Sequence, residues 1–327
     1  MGFRMRKSIK VAPGVRVNVS KRGVGASVGG KGGRYSVHSS GRKTVSAGSG
    51  VVPGVYYQKS VSGKGSGGSS AAAQSAPVAP KKPGLFAPKG EKELYKAVNA
   101  QDPEAMQRVG EAHPEFQLPA YSVAGFLLVK SAPDKAESLL AEAFATGDDP
   151  AQDKFIANYM TTFVGLPIAE GVTAELPLNR DAVGLMLAEL RQEEGNLEGA
   201  IEVVEQLEPT TYSAVSLAEL YAQTERWNDV IELTEGIKND DDASALLCVF
   251  RGQSFRQQGF HDAAHEALKE ALRSRSRAAP IRHQALAERA QNYLVQGKRA
   301  MARKDLERIL AEDSGYEGVR EQLAELD

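Results

Sequence analysis

Gly252-Gln253-Ser254-Phe255-Arg256-Gln257-Gln258-Gly259-Phe260-His261-Asp262-Ala263-Ala264-His265-Glu266-Ala267-Leu268-Lys269-Glu270-Ala271 is the stretch that decides the fold. Gly252 and Phe255 lie on one side of Gly259, and Ala264, Leu268 and Ala271 on the other, each three or four positions from the next. That is the period of one helix face, interrupted by a residue suited to a tight turn. The stretch therefore predicts a helix, a turn and a second helix. The same design recurs on both sides. One copy has Leu187-Ala188, Gly195, Leu197, Ala200-Ile201, Val204 and Leu207; the next has Leu217-Ala218, Tyr221, Trp227, Val230-Ile231 and Ile237. A copy that follows has Ala290, Tyr293, Gly297, Ala302, Leu306 and Ile309. Aligned on the small residue of the second helix, the copies begin near Asp181, Thr211, Ala245 and His283, at spacings of 30, 34 and 38 residues.

These units resemble tetratricopeptide repeats, helical hairpins of about 34 residues in which small residues let the two helices approach. The resemblance spans Asp181 to Leu326, with a weaker copy near Tyr121 to Phe144. Arg191 stands where an aromatic residue usually sits, and Val230 occupies a small position. An ordinary helical bundle is the competing reading, because amphipathic helices alone produce much of this pattern. The resemblance implies a scaffold that binds a protein or peptide along the inner face of its first helices. In this register the face includes Glu189, Gln192, Glu193, Glu219, Gln223, Gln253, Arg256, Gln257 and Gln291. It departs from the Lys/Asn clamp of repeats that hold peptide C-termini. Apart from Arg256 it is neutral to acidic, which favours a basic or polar segment. Any one of these residues reads equally well as solvated surface.

Upstream of Glu91 the character changes. The 327 residues carry a net charge of −2, but residues 1–90 hold 16 Lys/Arg and no Asp/Glu, a charge of +16, and the remainder holds 24 basic and 42 acidic residues, a charge of −18. Residues 11–57 alternate apolar and polar positions, as in Val15-Arg16-Val17-Asn18-Val19-Ser20. Gly23, Gly32, Gly41 and Gly50 recur every nine residues, the length of a short strand plus a turn. This predicts a small antiparallel β-meander over residues 1–60. Its apolar face carries Val17, Val28, Tyr35 and Val37, and its outer face is basic and serine-rich. So thin a core favours self-association or packing on another domain. Residues 61–90, rich in Gly, Ser and Ala and then Pro, read as a flexible linker that spans roughly 30 Å on average. Residues 91–327 read as an all-α solenoid of tetratricopeptide-like hairpins.

The opening Met1-Gly2-Phe3-Arg4-Met5-Arg6-Lys7-Ser8-Ile9-Lys10, followed by Pro13-Gly14-Val15-Arg16-Val17-Asn18-Val19-Ser20-Lys21, resembles a bacterial domain of unknown function, number 4236. The likeness covers about residues 1–58. It implies a bacterial protein and brings no activity with it.

Motifs that mimic chemistry read more simply. Gly25-Ala26-Ser27-Val28-Gly29-Gly30-Lys31-Gly32 stops short of a phosphate-binding loop, because Gly32 replaces the magnesium-binding hydroxyl and strands follow instead of a helix. Gly63-Lys64-Gly65-Ser66-Gly67-Gly68 has the dinucleotide glycine spacing but lies in the linker. His261-Asp262-Ala263-Ala264-His265 imitates a zinc-protease pair without the glutamate or an evident third ligand. Cys248 sits in the apolar run Leu246-Leu247-Cys248-Val249-Phe250, the setting of a structural thiol, and as the single cysteine it excludes an intrachain disulfide. Gly2 fails as a myristoylation site because Arg6 replaces the required hydroxyl.

No cofactor, metal or catalytic residue is expected, nor a secretory signal. The leading reading is a cytoplasmic, non-enzymatic bacterial adaptor with a protein or peptide partner. The alternative makes the first sixty residues an anchor for nucleic acid or anionic lipid, through Arg4, Arg6, Lys7, Lys10, Arg16, Arg34 and Arg42. Homo-oligomers, or a contact between the basic head and the acidic body, fit the same charges.

Overall fold

The computed structural model describes residues 82–160 and 163–326 with their side chains and, of the first 61 residues, the backbone of the strands alone. Those strands are Lys7–Ala12 (β1), Val15–Ser20 (β2), Gly23–Gly30 (β3), Gly33–His38 (β4), Lys43–Ala47 (β5) and Tyr57–Val61 (β6). Each pairs antiparallel with the next in chain order. Their side chains lie outside the described residues. So do the side chains of the two glycine-rich motifs and of the seven basic residues assigned to anion binding, and the linker from residue 62 to Lys81.

The chain divides into two compact units. The first runs through Gly165 and includes Glu175–Val183; the second is Leu166–Ala174 with Gly184–Asp327. In the first unit the helices are Lys89–Ala100 (α1), Pro103–Ala112 (α2), Gln117–Leu128 (α3), Pro133–Ala145 (α4) and Lys154–Tyr159 (α5). Local chemistry sets their starts. Proline opens α2 and α4, where the missing N–H is no loss. The carboxylates of Asp102 and Asp153 accept the first free N–H groups of α2 and α5, from Ala105 at 2.9 Å and Phe155 at 2.7 Å. Leu94, Met106 and Leu140 are fully buried, each worth about 2 kcal/mol. The weaker copy read near Tyr121 is the α3–α4 hairpin. A Cβ on Gly125 would lie 2.6 Å from the Leu140 side chain, so that contact requires glycine.

Two strands follow, Phe163–Ala169 (β7) and Val172–Pro177 (β8), paired as a two-stranded sheet. This corrects the all-α expectation for residues 91–327. The reason is a period of two: Val164, Leu166, Ile168, Val172 and Ala174 are buried, while Phe163, Gly165, Pro167, Thr173 and Glu175 are exposed. Gly171 makes the turn at φ 92°.

The helices that follow are Arg180–Glu193 (α6), Leu197–Val204 (α7), Thr211–Gln223 (α8), Trp227–Leu233 (α9), Asp242–Gln257 (α10), His261–Ala271 (α11), Ala279–Val295 (α12), Arg299–Glu312 (α13) and Val319–Ala324 (α14). They are mostly helical hairpins: α8 touches α7 and α9, α10 packs on α8, α9 and α11, and α12 packs on α10, α11 and α13. Two starts differ from the sequence reading. The capping box of Asp241 and Ser244 moves the beginning of α10 to Asp242, and α12 begins at Ala279, with Pro280 in its first turn.

One geometry closes all four repeat turns. Gly195, Glu225, Gly259 and Gly297 take left-handed φ of 81°, 58°, 79° and 71°. The N–H of the residue after each donates to a carbonyl five positions back: Asn196 to Arg191, Arg226 to Tyr221, Phe260 to Phe255, and Lys298 to Tyr293, each at 2.8 Å. Glycine makes that conformation free at three turns, and Glu225 adopts it at a cost. Ala188, Ala218, Gly252 and Ala290 are the small residues of the first helices, and Ala200, Val230, Ala264 and Ala302 their counterparts twelve positions on; all are buried. A Cβ on Gly252 would meet Leu268 at 2.5 Å, repeating the Gly125–Leu140 contact of the first unit.

Candidate docking face of the first helices

The repeat carries the face with it. Glu189, Glu219, Gln253 and Gln291 each follow the buried small residue of their helix by one position, and all four are half-buried. Four or five positions beyond the same small residue stand Gln192 and Glu193 on α6, Gln223 on α8, and Arg256 and Gln257 on α10. Glu193, Gln223 and Gln257 are exposed.

Electrostatics divides this set. Burial, and then the charges of Glu219 and Glu193, push the Glu189 carboxyl up to about 7. Burial likewise raises Glu219. Neither glutamate makes an ion pair among the described residues. The fold thus brings Glu193 and Glu219 within range of Glu189, and none of the three makes an ion pair among the described residues. Arg256, in contrast, donates Nε and Nη2 to one carboxylate oxygen of Glu288 at 3.1 and 2.8 Å. The single cation expected on the face is therefore committed to α12. Gln291 donates to Gln322 on α14 at 3.0 Å, which closes the last first-helix position.

The sequence reading missed what covers the beginning of the face. Leu166, Pro167 and Ile168 of β7 line, with Leu185, Met186 and Glu189 of α6 and Ser216 of α8, a recess of only about 10 Å³. That is room for one water and no more. A Cβ added to Gly171, at the hairpin tip, would lie 3.2 Å from Ile281 and 3.5 Å from Pro280 on α12. The hairpin therefore lies on the first helices and accounts for part of the burial of Glu189. The alternation of Val164, Leu166 and Ile168 was the signal that could have found it.

Elsewhere the chemical mimics have ordinary partners. His261 Nδ1 pairs with Asn292 Oδ1 at 3.0 Å, and His265 packs its ring on Tyr293 at 5.6 Å between centroids. No group of three His, Cys, Asp or Glu is placed to hold a metal among the described residues. Cys248 is fully buried, and burial raises its thiol pKa. In the first unit Tyr159 donates to Glu91, which raises its phenol to about 12, and its ring packs on Tyr95 and Phe155. No helix among the described residues is long and apolar enough to cross a membrane.

Residues 3–58 match the family described as "Protein of unknown function (DUF4236)". The match begins at Phe3, one residue into the Gly-Phe-Arg opening, and contains the Pro13-Gly14-Val15-Arg16 run. No curated protein matches the chain. Among solved structures, the chain is similar to the N-terminal domain of the EccA1 ATPase from the ESX-1 secretion system of Mycobacterium tuberculosis. Identity is 15%, the TM-score is 0.52, and the alignment covers 73% of this chain and 88% of that one. It is also similar to a tetratricopeptide repeat protein of Parabacteroides merdae, at 11% identity and a TM-score of 0.41 over 73% and 99% of the two chains. A thermophilic tetratricopeptide protein of Thermus thermophilus aligns at 16% identity, with a TM-score of 0.39, over 68% and 98%. Residues 3–58 are thus similar to that family, and the chain shares its fold with the EccA1 N-terminal domain.

Proposed function

We propose that this chain is a non-enzymatic, cytoplasmic bacterial scaffold that holds a basic or polar protein segment on the first-helix face of α6, α8, α10 and α12. The carrying observation is the pair Glu189 and Glu219, half-buried carboxylates with no ion pair among the described residues. Burying charge without a partner costs stability, and a cationic ligand side chain would offset that cost. Gln253 extends the same row with a neutral hydrogen-bonding group, and Gln291 does so only through its amide oxygen, since its NH2 donates to Gln322. In this reading Gln192, Glu193, Gln223 and Gln257 form its rim, and Arg256 shapes it through Glu288.

The proposed layout is a basic β-domain over residues 1–60, a linker over 61–90 and a helical body over 91–327. The head supplies a second contact, to an anionic partner or to another copy. Its charge motivates the alternative of an anchor on nucleic acid or anionic lipid, since residues 1–90 contain 16 cations and no acid.

The test is crosslinking capture by the full chain, followed by binding of the captured segment to wild type and to Glu189→Lys/Glu219→Lys. Loss of binding by the double variant, with its circular dichroism unchanged, is the expected result. Equal binding removes the face from the reading. Metal- or nucleotide-dependent turnover by the purified chain overturns the non-enzymatic assignment. Retention of the full chain on heparin at low salt, abolished by neutralising Arg4, Arg6, Lys7 and Lys10, favours the anchor.

A further inference from the structure

The most conspicuous exposed apolar groups lie far in sequence from the first-helix face. Leu85 and Phe86 are 86% and 97% exposed, the largest exposures among the large hydrophobic residues described. Their presentation is ordered. The N–H of Ala87 donates to the carbonyl of Gly84 at 3.1 Å, which closes a turn with Leu85 and Phe86 at its tip. Lys92 Nζ holds the carbonyl of Leu85 at 2.7 Å. Exposed lysines flank the turn at Lys82 and Lys89. An aliphatic–aromatic pair held out on a braced turn between cations has the form of a docking anchor.

The second unit contains a groove of matching chemistry. It lies between α9 and α11, over α10, with a volume of about 730 Å³. Ile231, Phe255, Ala263 and Ala267 supply apolar surface, and Glu232, Glu235 and Glu266 stand around it. Glu232 and Glu235 are exposed and make no ion pair among the described residues. Two cations are near but engaged. Arg251 donates to the carbonyls of Thr234 and Ile237, at 2.8 and 3.2 Å, and Lys269 pairs with Glu266 at 3.0 Å.

We propose that this groove is the receptor for the Lys82–Lys89 turn of a second copy of the chain, with Leu85 and Phe86 seated on the apolar floor and Lys82 and Lys89 set against Glu232 and Glu235. Anchor and receptor are different patches, so the contact joins copies head to tail or as a reciprocal pair. Removing a buried aromatic anchor or reversing its complementary charges weakens such contacts by roughly tenfold or more.

The experiment is sedimentation velocity of the full chain across a concentration series, for wild type, Leu85→Ser/Phe86→Ser and Glu232→Lys/Glu235→Lys. All four substituted side chains are exposed, and circular dichroism reports whether each variant is folded. Wild type is expected to gain mass with concentration, and each double variant to remain a single chain over the same range. Mixing the two variants restores one kind of contact, the intact anchor of one with the intact groove of the other, and recovers a heterodimer. A synthetic peptide of residues 80–90 is expected to bind Leu85→Ser/Phe86→Ser and not Glu232→Lys/Glu235→Lys. A wild type that is a single chain at every concentration overturns the proposal, as does self-association that survives either double variant. Failure of the mixture to assemble, or of the peptide to discriminate, also overturns it.

Discussion

Within the second unit, α10 and the α12–α13 hairpin pair arginines with the carboxylates of buried Asp305, half-buried Glu288 and exposed Glu312, whereas Glu189 on α6 and Glu219 on α8 are half-buried without an ion pair among the described residues. Arg289 forks onto Asp305 at 2.7 and 2.8 Å, Arg282 onto Glu312 at 2.9 and 2.7 Å, and Arg256 onto Glu288. These contacts tie helix to helix by charge-assisted hydrogen bonds. Their effect appears at Glu312, whose carboxyl is held below its ordinary range mainly by its hydrogen bond from Arg282. At Glu189 the shift runs the other way. The earlier hairpins also hold an ion pair, Arg226 with Asp229 at 2.6 Å, but Glu189 and Glu219 take no part in one among the described residues. That asymmetry is the reason for proposing the ligand at α6 and α8.

The strongest way to break the comparison is Arg289→Ala. Asp305 is 4% exposed, and without the fork of Arg289 it keeps only Arg308, 3.8 Å away, so the loss is about 3 kcal/mol, the low end for a broken buried pair. Urea unfolding is expected to show that loss, and Arg289→Ala/Asp305→Asn to recover much of it. Were the single variant neutral, the later hairpins would not depend on their ion pairs. Next in size is Gly252→Ala. A methyl there meets Leu268 at 2.5 Å, and overpacking of this kind costs about 1–3 kcal/mol. The α12–α13 hairpin carries Ala290 at the same position, so a neutral result would mean that α10 and α11 can open to the spacing of that pair.

Glu189→Gln acts in the opposite sense. The folded chain keeps a proton on Glu189 between the ordinary 4.5 and about 7 that the unfolded chain has lost. Its contribution to stability therefore falls as pH rises through that window and is level above it. The amide variant is expected to be more stable than wild type at pH 8 by about 1 kcal/mol, a figure reduced for solvent screening. The gain should vanish by pH 4.5. Melting temperatures at the two pH values check it, and a gain independent of pH would remove the charge argument. The smallest effect is expected at the turn between α8 and α9. Glu225→Gly relieves a left-handed residue, and the added freedom of the unfolded chain offsets part of the gain, leaving about 0.5 kcal/mol.

Much of the helical architecture was legible because its cause is local. A small residue on each first helix and another twelve positions on, with glycine at three of the four turns, are enough to mark helices that must touch. The turn at Glu225 was legible only by analogy with its neighbours. The β7–β8 hairpin was not read, because Gly165, Pro167, Gly171 and Pro177 punctuate it like a loop between helices, and the alternation is short. The candidate face was legible as a row of positions and not as an electrostatic object. Glu288 lies 32 positions from Arg256, so no spacing announces their pairing. Nor does the α6 sequence announce the strand that lies over Glu189. Tertiary neighbours set both, and they reverse the reading of Arg256 from an available cation to a spent one.

The hairpin has one more consequence. Its middle, Leu166–Ala174, belongs to the second unit, while the residues on both sides, up to Gly165 and from Glu175 to Val183, belong to the first. The polypeptide thus passes from one unit to the other three times. No single peptide-bond cleavage can release either unit intact, and a protease that nicks the Glu170–Gly171 bend should leave fragments that each hold parts of both and comigrate until denatured.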